Sequence, residues 1–288
     1  MISAYPIGAA PYGITAGPDN ALWCTEIHAG RIGRLTVSGD YSTYPLDTPS
    51  GRPSLITTGP DGALWFTESQ ANRIGRITIA GEITMFDVPT PDASPFGIAC
   101  GPDRALWFTE MNAGRIGRLD GDGVVTEFEL PTHGAFPSMI TAGPDDALWF
   151  TMNTANAVGR ITTDGAVTTY AVPAEDAGPV GIACCEGALW FAEIGAGQIG
   201  RITVDGEITE FALPDRTARP HAVTAGSDGC CWYTEWASGR IGRISPAGAI
   251  DTYALPDPSC EPHGLTVGPD GAIWIALETG AIARLAVG

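Results

Sequence analysis

The feature that most constrains this chain is a ten-residue phrase that returns seven times. Its fullest form reads Gly59-Pro60-Asp61-Gly62-Ala63-Leu64-Trp65-Phe66-Thr67-Glu68. The tryptophans are Trp23, Trp65, Trp107, Trp149, Trp190, Trp232 and Trp274, spaced 42 residues apart with one interval of 41. A proline stands upstream in each copy, at Pro11, Pro53, Pro95, Pro137, Pro179, Pro220 and Pro262. Self-similarity at this period marks a propeller, with one four-stranded blade per repeat.

Each part of the repeat has a mechanical job. Gly-Pro-Asp-Gly makes a tight turn: Pro presets φ, Asp bonds nearby backbone, and the last Gly accepts unusual dihedrals. A short apolar strand such as Gly97-Ile98-Ala99-Cys100 precedes it, and the β-forming Ala-Leu-Trp-Phe-Thr-Glu follows. A loop leads to a third strand, Arg73-Ile74-Gly75-Arg76-Ile77-Thr78 in the second copy. A turn such as Asp205-Gly206 then leads to a fourth, Glu207-Ile208-Thr209-Glu210-Phe211. No segment has helical periodicity over a useful length. The chain predicts an all-β, seven-bladed propeller of four-stranded antiparallel blades, one domain over residues 1–288. Its opening residues Ile2–Ile7 read as a fourth strand, while Ala281–Leu285 is a third strand with nothing after it. Residues 1–7 are therefore expected to complete the last blade and close the ring, which removes exposed sheet edges.

The chain carries 33 carboxylates against 15 Lys and Arg, a net charge of −18. That balance argues against nucleic acid or an anionic membrane as partner, and with closed sheet edges it predicts a monomer. No apolar run is long enough to span a bilayer, and no signal peptide is visible at the N-terminus. The seven cysteines, Cys24, Cys100, Cys184, Cys185, Cys230, Cys231 and Cys260, are odd in number and lie mostly in strand patterns. They read as reduced, buried small hydrophobes of a cytoplasmic protein. The adjacent pairs lack the spacing of a zinc site.

Topology locates the functional rim. The first strand of each blade starts after its Pro and the second ends at Thr-Glu, so both sets of ends ring one face of the channel. Propeller sites use such rings because rigid blades position many loops around one hollow. The residue after the Pro is Tyr12, Ser54, Phe96, Ser138, Val180, His221 or His263. Two of the four histidines thus share one slot in neighbouring blades. Glu261 is the only carboxylate in the slot before the Pro. At the end of the second strand, Glu26, Glu68, Glu110 and Glu235 are followed by Arg31, Arg73, Arg115 and Arg240. These are expected to form structural ion pairs. Blade 5 keeps Glu193 but has Gln198, and blade 4 has Met152 and Ala157. Blade 7 has Leu277 and Ala281, with Glu278 shifted by one place and free of an Arg partner.

The corner of blades 6 and 7 therefore collects His221, Glu235, Trp236, Glu261, His263 and Glu278. Two unpaired carboxylates on one rim suit a hard divalent cation, Mg²⁺ more than Zn²⁺. A neighbouring His can move a proton near neutral pH. Cation and base together equip a site for proton abstraction next to a carbonyl, or for activating a water; the residues alone leave both open. Phe96, Phe136, Met152 and Tyr12 either floor a ligand pocket or pack the channel mouth. His28 and His133 sit in loops without comparable company and are unassigned.

At these residues the chain resembles the virginiamycin B lyases, also called streptogramin B lyases. The likeness runs through the repeated Gly-Pro-Asp-Gly-Ala-Leu-Trp-Phe-Thr-Glu and Arg-Ile-Gly-Arg-Ile segments. It is sharpest in Arg219-Pro220-His221-Ala222, Thr234-Glu235-Trp236, Glu261-Pro262-His263-Gly264 and Ala276-Leu277-Glu278. The resemblance implies a Mg²⁺-dependent lyase that confers antibiotic resistance by linearising cyclic depsipeptides of the streptogramin B type. The ester would open by elimination, not hydrolysis. It implies His263 as acid/base residue, Glu261 and Glu278 as Mg²⁺ ligands, His221 as a substrate contact, and Tyr12 lining the pocket. A metal-dependent lactone hydrolase and a non-catalytic binding module are the competing readings.

Overall fold

A computed structural model describes residues 2–287; Met1 and Gly288 lie outside the described residues. Seven four-stranded sheets form the seven blades, and the described residues contain no helix. Strands within a blade are antiparallel and follow chain order outward from the channel. Blade 7 is completed by Ile2–Pro6, which pairs with Ala281–Leu285 in register Ile2↔Leu285 to Pro6↔Ala281. The ring thus closes as the sequence predicts.

The repeat phrase builds the walls between blades. Leu64–Glu68, the second strand of blade 2, is buried along its whole length, because each blade is covered on both faces. The core is a series of similar interblade clusters. Between blades 1 and 2, for example, Trp23 and Ile32 meet Ile56, Leu64 and Phe66. Each repeat Trp also stacks on an aromatic of its own fourth strand, as Trp65 does on Phe86 at 5.4 Å.

The turn Asp does more than bend the chain. Asp61 accepts from Trp65 Nε1 at 3.0 Å and from Arg76 Nε at 2.6 Å, while the Arg76 guanidinium lies 5.8 Å from the centre of the Trp65 ring. The clamp holds the turn's carboxylate ionised: the Trp and Arg donors outweigh desolvation and lower the pKa of Asp61. Six blades have this clamp, through Asp19, Asp61, Asp103, Asp145, Asp228 and Asp270. Blade 5 has Glu186-Gly187 at the turn, and its Arg201 lies over Trp190 without that carboxylate.

Two expectations are corrected here. Cys185 and Cys231 are not reduced; they form a disulfide with Cα atoms 6.2 Å apart. Cys185 ends the first strand of blade 5 and Cys231 begins the second strand of blade 6, so the bond staples neighbouring blades. The other five cysteines are free, and Cys24, Cys230 and Cys260 among them are buried, as expected. A crosslink across 46 residues constrains the unfolded chain by about 2–4 kcal/mol. Reduction should therefore lower Tm by roughly 5 °C. Melting curves with and without reductant, against a Cys185→Ser variant that reductant leaves unmoved, check this.

The second correction concerns the Glu–Arg pairs. Arg31 pairs with Glu26 at 2.5 Å and Arg73 with Glu68 at 2.7 Å. Arg115 instead turns to Thr90 and to Glu127 at 3.5 Å. Glu235 accepts from Ser238 Oγ at 2.8 Å, and Arg240 is left exposed. Glu110 is fully buried with neither carboxylate oxygen bonded, and burial followed by the Glu127 charge pushes its pKa up to about 8. The sign follows from linkage. Between the ordinary 4.5 and about 8, native Glu110 holds a proton that the unfolded chain releases, so stability falls as pH rises through that window. Glu110→Gln should raise Tm by a few degrees at pH ~8.5 and give no gain at pH ~5. Paired melting curves at the two pH values test it.

Candidate active site

A β-bulge makes the rim. In all seven blades the register between first and second strands shifts just after the Pro, as between Pro262 and Leu265. The bulge re-aims the residue after the Pro, and bulges recur beside active sites for this reason. Tyr12, His221 and His263 occupy that slot in blades 1, 6 and 7, which ring closure makes consecutive.

The three rings pack together. Tyr12 lies 4.4 Å from His263 between ring centroids, tilted by 34°. His221 meets His263 edge-on at 4.9 Å and Tyr12 edge-on at 6.1 Å. Trp236 lies 6.4 Å from His263.

Strand alternation explains why Glu278 differs from the other second-strand carboxylates. Glu26, Glu68, Glu110, Glu193 and Glu235 all point into the buried stack. In blade 7 Leu277 occupies that buried slot and pairs with Pro262, as Glu235 pairs with Pro220. The next residue faces the other way. Glu278 therefore stands where blade 6 has Trp236, on the rim. Its backbone N–H donates to Glu261 O at 3.2 Å, just as Trp236 N–H donates to Arg219 O at 3.1 Å. The two carboxylates predicted as a pair thus leave adjacent backbone positions. Glu261 has φ 49°, a left-handed conformation that a non-glycine residue adopts at some cost, and its side chain is exposed.

Glu278 lacks an Arg, as expected, but it is engaged. Its Oε2 lies 2.5 Å from His263 Nε2, and its Oε1 lies 2.9 Å from His28 Nε2. His28 belongs to the loop after the second strand of blade 1, so it reaches Glu278 across the ring closure. Nothing in the loop's own sequence gives His28 this partner. His133 is elsewhere, in a shallow groove with Glu129 and Pro131.

Burial lowers the pKa of His221 to about 3, assisted by the neighbouring His263. Burial also lowers that of His263, opposed by the carboxylates of Glu278 and Glu261. Both imidazoles are therefore neutral near pH ~7. The Nδ1 atoms of both are buried and without a partner. His263 Nε2 is held by Glu278 Oε2, so a ligand reaches that nitrogen only when the carboxylate turns away. Burial, then the Glu278 charge, raises the Tyr12 pKa, so its hydroxyl keeps its proton and remains a donor.

Beside His221 lies a cavity of about 180 Å³ lined by Phe96, Met111, Phe136, Met139 and Val180. Phe96 and Phe136 thus line a pocket. Met152 does not: it is fully buried in the core between blades 3 and 4.

Among the described residues, no group of three or more His, Cys, Asp or Glu side chains is arranged so that they alone could hold a metal ion, the His28–Glu278–His263 contacts included. Glu261 and Glu278 offer carboxylate oxygens, those of Glu278 now engaged by His263 and His28, and leave most of a coordination shell to water. That donor set fits a hydrated hard cation such as Mg²⁺, and not a three- or four-ligand zinc site.

Residues 2–285 match the family model of the virginiamycin B lyase family. The chain is similar over 100% of its length to virginiamycin B lyase from Staphylococcus aureus, with 44% identity, 99% of that chain covered and a TM-score of 0.96. A catalytically inactive histidine-to-alanine variant of the S. aureus protein, crystallised with quinupristin, is 43% identical with a TM-score of 0.96, covering 100% of this chain and 99% of that one. Virginiamycin B lyase from Saccharopolyspora erythraea is 59% identical over 40 residues, 14% of this chain and 13% of that relative. The curated relatives are thus matched over a small part of their length, and the two S. aureus structures over nearly all of it. A putative gluconolactonase at 18% identity, with a TM-score of 0.63, shares the fold.

Proposed function

The chain belongs to the virginiamycin B lyase family, and on that footing we propose that it linearises cyclic depsipeptides of the streptogramin B type by elimination at the ester. Opening the ring inactivates the antibiotic and so confers resistance. The observation that carries this reading is the contact between His263 and Glu278 on a rim shared with Tyr12 and His221. A catalytically inactive relative that lacks one histidine supports an imidazole as the indispensable group.

The residues act as follows. The apolar cavity of Phe96, Phe136 and Val180 takes a hydrophobic side chain of the macrocycle, and His221 and Tyr12 border the reacting ester. His263, neutral at rest, takes the proton α to the threonyl carbonyl at Nε2 as its Nδ1–H tautomer, once bound substrate has turned the Glu278 carboxylate off that nitrogen. The C–H electrons form a C=C bond as the C–O bond at the adjacent carbon breaks, and the ester leaves as a carboxylate. No water enters, so the product is an isomer of the substrate. Glu278 stabilises the imidazolium that forms. The protonated Tyr12 hydroxyl can donate to the substrate oxygen where charge develops. Glu261 and Glu278 would hold Mg²⁺, which when bound would supply further positive charge against the charge that develops on the substrate.

The reading is tested by incubating the protein with a streptogramin B depsipeptide and following loss of the cyclic compound. Turnover should stop with EDTA and return with Mg²⁺. Glu261→Gln should raise the Mg²⁺ concentration for half-maximal rate about tenfold, because a neutral amide replaces a charged ligand. An unchanged metal titration removes Glu261 from that role.

A further inference from the structure

The Thr of Thr-Glu has a role that its β propensity does not explain. Thr25 Oγ1 accepts from Gly13 N at 2.9 Å and donates to Ser54 O at 2.6 Å. One hydroxyl thus joins the bulge of its own blade to the bulge of the next. Thr67 joins Leu55 N to Phe96 O, Thr109 joins Gly97 N to Ser138 O, and Thr151 joins Met139 N to Val180 O. In blade 6, Thr234 Oγ1 accepts from Ala222 N at 3.0 Å and donates to His263 O at 2.9 Å. Thr234 is fully buried, so water does not compete for these bonds.

Blades 5 and 7 have Ala192 and Ala276 at this place and no hydroxyl. The clasps therefore divide the rim into two runs. One runs from the Tyr12 bulge to the Val180 bulge, through five blades. The other contains the His221 and His263 bulges alone, joined by Thr234. On both outer sides of the histidine pair the clasp is missing.

We propose that Thr234 is a positioning residue for the ring-opening reaction, its hydroxyl fixing the two histidine bulges as one unit. This rests on the functional reading above. The hydroxyl touches only backbone, one bond from each histidine's own peptide, so it acts through His263 and not on substrate. Without it the His263 bulge is tied to neither neighbouring blade by a clasp. Small displacements of a catalytic group from attack geometry cost rate far more than affinity.

The test uses Thr234→Ala, Thr234→Ser and the control Thr67→Ala. Alanine is the residue that blades 5 and 7 already carry here, so the fold accommodates it. Thr234→Ala should lower kcat about tenfold with KM within about twofold, and serine, which keeps the hydroxyl, should recover kcat to within about threefold. Thr67→Ala loses an equivalent clasp and should lower Tm similarly with little change in kcat. Equal kcat losses in the two alanine variants, or no recovery with serine, overturn the proposal. A second readout needs no turnover. The chain has four histidines, so their imidazole NMR signals can be assigned individually. Thr234→Ala should displace the His221 and His263 signals and leave His133 in place. If the His221 and His263 signals stay unmoved, the proposal fails even where the wild type opens no ring; inactivity of the wild type counts instead against the functional reading.

Discussion

Replacing His263 with alanine should abolish ring opening, lowering kcat by at least about 10³-fold, while the propeller stays folded. General-base transfer commonly contributes ~10² to 10⁴ in rate, and His221, the other histidine in the slot after the Pro, makes no hydrogen bond to a carboxylate as His263 does. The fold should tolerate the change because the Thr234 clasp reaches the His263 carbonyl, which alanine keeps. Unchanged circular dichroism, with a Tm shift of no more than a few degrees, separates lost chemistry from lost structure. Added imidazole should restore a small part of the rate by entering the space the side chain leaves. Wild-type-like turnover in this variant removes His263 from the mechanism.

Glu278→Gln should come next in effect, lowering kcat about 10²-fold. The substitution keeps size and removes charge. It takes away the acceptor that lies 2.5 Å from His263 Nε2 and 2.9 Å from His28 Nε2, and with it the stabilisation of the developing imidazolium. Because Glu278 is also proposed to hold Mg²⁺, the variant should need more metal. Steady-state kinetics across a Mg²⁺ series separate the two contributions. A kcat deficit that persists at saturating Mg²⁺ belongs to the His263 contact, and one that vanishes belongs to the metal alone. Glu26→Gln, in a buried ion pair with Arg31, should instead change stability and leave kcat near wild type.

The blades were legible because the repeat fixes them seven times over: the Pro, the turn and the Trp state the register of every sheet. The rim was legible by comparing slots within the chain. His221 and His263 break the pattern after the Pro, and Glu278 breaks it after the second strand. What the sequence could not show is where flexible side chains turn. Arg115 follows Glu110 at the same spacing that pairs Arg73 with Glu68, yet it is drawn to Glu127, on the fourth strand of its own blade, and to Thr90, in the loop that leads into that blade. His28 lies 250 residues from Glu278 in the chain, and only ring closure plus loop reach brings them together. A signal existed: His28 lies two residues past Glu26, in the blade that closure sets beside blade 7. The disulfide had a signal as well. Cys185 and Cys231 stand at facing strand ends of neighbouring blades, beside the one turn that lacks the Asp clamp.

The most direct test of the account is the mass of the product. A streptogramin B depsipeptide is incubated with the protein and Mg²⁺, and the ring-opened species is measured by mass spectrometry. Elimination through His263 predicts a linear product of the same mass as the substrate, with a new double bond in the former threonyl residue. A product heavier by one water means that the rim activates water instead, and contradicts the elimination assigned to this site.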